Sequence, residues 1–103
     1  MRDPEPAALI DRFLDAAWAG DGLAHATLDA YRNDLIGFSR SGLFASASND
    51  TAKVEIDPAR LARLLAERLR DGIRVATIRR QISALSRFCA WLRLQGLLDD
   101  DPL

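Results

Sequence analysis

Apolar positions recur along most of the chain at spacings of three and four residues, and no segment sustains an alternation of period two. The pattern predicts four helices. The first runs over about Ala8–Ala19 with Leu9, Ile10, Phe13, Leu14, Ala17 and Trp18 inward, and Gly20 and Gly22 end it. The second covers about Ala26–Arg40, where Leu28, Tyr31, Leu35 and Phe38 form one stripe. Tyr31 is thereby a core residue whose hydroxyl reaches a partner at the edge of the core.

Residues 42–57, GLFASASNDTAKVEID, read as a loop because they are small and polar. Asp57 then has the character of an N-cap and Pro58 of a first helical residue. The third helix extends to about Asp71 with Leu61, Leu64, Leu65 and Leu69 inward, and Gly72 closes it. The fourth runs over about Ala76–Gln95, with Gly96 as its C-cap and Leu97 or Leu98 folding back on the last turn. On a wheel of about 100° per residue, Ile78, Ile82, Leu85, Cys89 and Leu92 share one side of it. Ala76, Arg80, Ser83 and Arg87 line the opposite side, flanked by Arg79.

Composition bounds this all-α picture without changing it. At 103 residues and 49% hydrophobic content, one domain with a real core is expected. No apolar run approaches the roughly 20 residues that cross a bilayer, and no secretory leader is visible, so the reading is a soluble cytoplasmic protein with no membrane partner. A single cysteine, Cys89, excludes an internal disulfide, and one cysteine with one histidine makes a poor metal set. Neither metal nor cofactor is expected. Cys89 falls in the apolar series of the fourth helix, as small core cysteines do.

Charge does change the picture. The formal net charge is -1, yet no Asp or Glu occurs between Gly72 and Leu98, where Arg74, Arg79, Arg80, Arg87 and Arg93 all fall. The acids collect in the N-terminal tail, around Asp50 to Asp57, and in Asp99, Asp100 and Asp101. Such segregation makes the fourth helix a candidate anion-binding surface, with a solvated arginine face as the plain alternative.

Two stretches carry a family resemblance. Thr27 to Phe38 has the pattern T-L-x-x-Y-R-x-D-L-x-x-F, and Thr77 to Leu92 reads T-I-R-R-x-I-S-A-L-x-x-F-x-x-W-L. Together with the exit G-L-L-D-D-D-P at Gly96 to Pro102, they resemble the core-binding domain of tyrosine recombinases, the Xer-type recombinases and phage integrases. The likeness extends from about Leu9 to Leu103. It implies a SAM-like domain of four helices packed as two crossed hairpins. Residues 1–103 are then one core-binding domain, with 1–7 a flexible tail and 99–103 the start of a linker to a catalytic domain that the chain does not include. In the family this domain forms half of a clamp on duplex DNA, its second and fourth helices against the major groove. The catalytic domain supplies the nucleophilic tyrosine and its activating residues.

The resemblance assigns a DNA-binding role with no catalytic residue. Thr27 and Thr77 sit at helix starts, where a hydroxyl caps the helix or touches a phosphate. Arg79 and Arg80 reach phosphate oxygens or a guanine edge, Arg80 being the better placed for a base and Arg87 for the backbone. Ser83 belongs to the same face. The second helix contributes Arg32, with His25 near the entrance and Asn33 and Arg40 outward, while Asp34 orients a neighbouring arginine or caps a backbone group. Implied partners are the recombination site, the chain's own catalytic domain and sister recombinase subunits. Asp29 on the outward side, Ala76 where the family is often polar or basic, and the low net charge together imply weak binding by the domain alone. A competing reading is a helical protein-interaction module that binds no DNA, for which Trp91, off the main apolar stripe, is the docking candidate. A small stand-alone enzyme has no residue constellation to support it.

Overall fold

The computed structural model of the protein describes residues 5–47 and 50–103. Helix α1 spans Pro6–Asp21. Proline suits its first turn because the missing N–H would have no intrahelical acceptor there. The helix therefore starts inside the stretch read as a tail, of which residues 1–4 lie outside the described residues. Leu9, Ile10, Phe13, Leu14 and Ala17 are buried as expected, and Gly22 ends the helix at φ 63°. Trp18 is not in the core: it is 50% exposed, its ring 4.3 Å from that of His25. It stands about 100° around the helix from Ala17, at the margin of the buried stripe rather than within it.

Helix α2 covers His25–Arg40 and buries Leu28, Tyr31, Leu35 and Phe38. Between α2 and the next helix the expectation of a loop is overturned. Strands β1 (Phe44–Ala47) and β2 (Asp50–Ile56) pair antiparallel, Phe44 opposite Ile56 and Ser46 opposite Val54, with a register shift between Ser46 and Ala47. Val54 and Ile56 are buried while Glu55 between them is exposed, a short alternation outweighed in the sequence by the surrounding small residues. The hairpin is anchored at the other end of the chain. The Val54 amide donates to the Leu97 carbonyl at 2.7 Å, and Lys53 Nζ lies 2.9 Å from Asp99 Oδ1.

Helix α3 spans Pro58–Arg70, with Asp57 accepting from the Ala59 amide at 2.9 Å as an N-cap. Leu61 is buried and Leu64 and Leu65 are partly so, but Leu69 is 57% exposed instead of inward. It lies about 80° around the helix from Leu61, outside the narrow stripe that meets the body. The Arg68 guanidinium covers the Phe38 ring at 4.6 Å.

Helix α4, Val75–Leu94, is the central element and packs on α1, α2 and α3. Ala84, Leu85, Cys89 and Leu92 are fully enclosed, and Phe88 meets Phe13 at 5.5 Å and Phe44 at 5.4 Å between ring centroids. Trp91 extends this cluster beside Phe13 and Phe88, with Arg12 over its outer face. The chain reverses through Gly96 at φ 72°, and the Leu97 amide donates to the Leu92 carbonyl at 2.8 Å, so that Leu98 folds back into the core. The fold is thus all-α in its body, two helical hairpins sharing one core, with a small two-stranded sheet inserted between them. None of the described helices is long and apolar enough to cross a membrane.

Candidate nucleic-acid interface

The outward side of α4 is built as its spacing indicates. Ala76, Arg79, Arg80, Ser83 and Arg87 are all exposed, on a helix with four arginines (79, 80, 87 and 93) and no acid, hence a formal +4. Helix α2 packs directly against α4 and exposes His25, Arg32, Asn33 and Arg40. Among the described residues, the side chains of His25, Asn33, Arg40, Arg79 and Ser83 make no hydrogen bond or ion pair, so their polar groups are open to a ligand. Asp29 is exposed on the same helix and opposes an anion there.

Neither threonine caps its helix. The N-cap positions are Ala24 for α2 and Arg74 for α4, and no side chain at either accepts from the first turn. Thr27 and Thr77 instead occupy the third helical position of each helix, half-buried. The capping role expected of them is therefore corrected, because the chain enters each helix earlier than the threonine. Both first turns keep amides without a side-chain acceptor, whereas Asp57 fills that role on α3.

Arg80 departs most from a freely outward side chain. Its Nε donates to Asp34 Oδ2 and its Nη2 to Asp34 Oδ1, both at 2.9 Å, a bidentate bridge from α4 to α2. Asp34 is the one buried charged residue among the described residues, with 4% of its side chain accessible, while Arg80 keeps 45%. The hydrogen bonds from Arg80 to Asp34, with the charge of Asp34 adding to them, raise the guanidinium pKa above its ordinary value, while partial desolvation acts the other way. The orienting role read for Asp34 is what the geometry shows. The sequence offered one signal for the pairing, a lone carboxylate on the flank of an apolar stripe, which demands a partner once buried.

Two further arginines are tied to α1. Arg32 Nη1 lies 2.6 Å from Asp11 Oδ1, and Arg87 Nη1 lies 3.3 Å from Asp21 Oδ2. All four side chains are about half exposed, so these pairs contribute only about 0–1 kcal/mol each. A phosphate replaces such a carboxylate at little cost. Asp11 and Asp21 were not singled out by sequence reasoning, since nothing local to α1 reveals which arginines it faces.

One hollow lies away from this face, and a groove borders it at Arg87 and Asp21. A hollow of about 450 Å³ separates β2 from the C-terminal segment, and an open groove of about 320 Å³ runs between α1 and α4, lined by Phe13, Trp91 and Leu94 among others. Among the described residues no group of His, Cys, Asp and Glu is placed to hold a metal ion.

The sequence model of the phage integrase N-terminal SAM-like domain matches residues 10–96. The chain belongs to that family. Among its relatives are the tyrosine recombinase XerD of Yersinia pestis, 35% identical over 94 residues, and that of Pseudomonas aeruginosa, 38% identical over 95. The tyrosine recombinase XerC of Chromohalobacter salexigens is 37% identical over 96 residues. The matches cover 91%, 91% and 93% of this chain but 30% of each relative, so this integrase-type domain spans under a third of their length. No solved structure matches it significantly.

Proposed function

We propose that this SAM-like domain binds duplex DNA for a site-specific tyrosine recombinase, laying α2 and α4 against the major groove. Strand cleavage and rejoining then belong to a catalytic domain elsewhere in the same protein. The observation that carries the reading is the acid-free, arginine-bearing face of α4 beside the exposed polar side of α2. A surface meant only for solvent interleaves both signs, whereas a phosphate-facing one segregates them. Arg79 and Arg87 serve the backbone, with Arg32, Arg40, Asn33, His25 and Ser83 around them. Thr27 and Thr77 stand beside two uncapped helix starts that favour anions. The partners are the recombination site, sister recombinase subunits bound to it, and the catalytic domain, all within the cytoplasm. Catalysis by this domain itself is not part of the reading, for its only tyrosine, Tyr31, is buried.

Fluorescence anisotropy on labelled duplexes across a salt series tests it. Affinity should fall steeply with salt, and Arg79→Ala and Arg87→Ala should each lower the slope of log affinity against log salt by about 0.9, as loss of one phosphate contact does. Unchanged slopes in both variants would remove α4 from the interface. The competing protein-interaction reading has one observation behind it, the apolar α1–α4 groove beside Leu94, which is 84% exposed. Salt-independent behaviour with no retention on DNA would favour it.

A further inference from the structure

Asp34 and Arg80 form the one contact on the α2–α4 face in which both side chains are fixed by two hydrogen bonds. A guanidinium carries five N–H donors, and Asp34 engages the Nε–H and one from Nη2. Both Nη1 hydrogens and the second Nη2 hydrogen are left, and together they form the end of the fork. The carboxylate is enclosed while Arg80 is nearly half accessible, so this free end is on the solvent side of the bridge. Keeping Arg80 partly in water spares the desolvation cost of a fully buried pair and at the same time leaves three N–H donors available to a ligand. The ion pairs of Arg32 and Arg87 differ in kind, each a single contact between two exposed side chains.

We infer that Asp34 is a positioning residue that holds Arg80 as a preset two-donor fork for the O6 and N7 edge of one guanine in the major groove. The inference rests on the DNA-binding reading and adds the base that the domain discriminates. A phosphate needs positive charge within reach and tolerates a mobile side chain. A guanine edge takes two donors at fixed spacing, which arginine presents as a rigid coplanar fork and lysine only through one mobile ammonium. Holding the side chain in that pose beforehand also removes much of the ordering cost of making the contact. The bridge joins α2 to α4 as well, so the fork keeps a constant position relative to the surrounding phosphate contacts.

Selection of binding sites from a randomised duplex pool with the full-length protein tests this, followed by affinities for the selected site and for the same site with the critical G·C pair changed to A·T. The wild type should select a guanine that Arg80→Lys no longer selects, with the rest of the site unchanged. Discrimination at that pair should be roughly five- to 150-fold in the wild type and near unity in Arg80→Lys, which keeps a cation beside the buried carboxylate. Asp34→Asn should lose most of the same discrimination, because an amide accepts only one of the two bonds. Combined with Arg80→Lys it should cause no further loss. Thermal melting of each variant identifies any that fail to fold, and Arg80→Lys carries the test if Asp34→Asn is among them. Retention of the guanine by Arg80→Lys overturns the inference, as does an Asp34→Asn variant that weakens every sequence alike. A wild type that binds duplex DNA without base preference at any pair also overturns it while leaving the DNA reading intact. A wild type that does not bind duplex DNA ends both.

Discussion

The two halves of α4 are made of different material. From Ala84 to Leu92 the helix is core: Ala84, Leu85, Cys89 and Leu92 have no accessible surface and Phe88 retains 1%. The aromatic cluster of Phe13, Phe44, Phe88 and Trp91 joins α1, β1 and α4 there. From Val75 to Ser83 only Ile78 is buried, and it lies outside the main core cluster. In that half the tie to α2 is polar, through Arg80 and Asp34. One helix therefore does two jobs: the inner side of its C-terminal half fixes the fold, and its outer side, from Ala76 to Arg87, presents a surface. Substitutions on the enclosed side and at the exposed Arg87 should separate stability from binding.

The strongest break in that division would come from Phe88→Ala, which should cost about 3–5 kcal/mol in denaturant unfolding. A loss below about 1 kcal/mol would mean that the aromatic cluster does not carry the core. Arg80→Ala comes next, at about 1–3 kcal/mol, because it strands the Asp34 carboxylate in an apolar setting. The figure stays below that for a fully buried pair since Arg80 itself remains half in water. In a domain of this size that is a drop of roughly 4–20 °C in Tm, measurable by circular dichroism. Should Arg80→Ala melt with the wild type, the bridge is not closed in solution.

Arg87→Ala sharpens the contrast from the other side. Its pair with Asp21 is exposed, so stability should change by less than about 0.5 kcal/mol while DNA affinity falls for all sequences alike. A large stability loss would mean that Arg87 supports the core rather than standing on the outer surface. The smallest effect concerns Cys89, whose thiol is pushed up from 9.0 to about 12, by burial first and by Asp101 second. The folded state favours the neutral thiol, so this contribution to stability is complete below pH 9 and is lost as pH rises towards 12. At pH 8 the native thiol should react with iodoacetamide at least about a hundredfold more slowly than in denaturant. Equal rates would show the enclosed half of α4 opening readily.

Much of this was legible in the chain because it depends on near neighbours. Helical spacing placed all four helices to within two residues, since a residue and its partners three and four positions on share a face whatever surrounds them. Asp57, Pro58 and Gly96 marked ends through bonds made within a turn of the chain. The family motifs named the domain. The hairpin escaped because strand pairing joins residues such as Phe44 and Ile56, and its stability leans on Leu97 and Asp99, far along the chain. Trp18 and Leu69 escaped because periodicity gives the centre of a buried stripe but not its width, which the neighbouring element sets. On the surface, the sequence determined which residues point away from the core. Only the tertiary structure decided that Arg80 reaches Asp34, Arg32 reaches Asp11 and Arg87 reaches Asp21. Those pairings depend on the distance and rotation between helices, and no local rule of the chain contains either quantity.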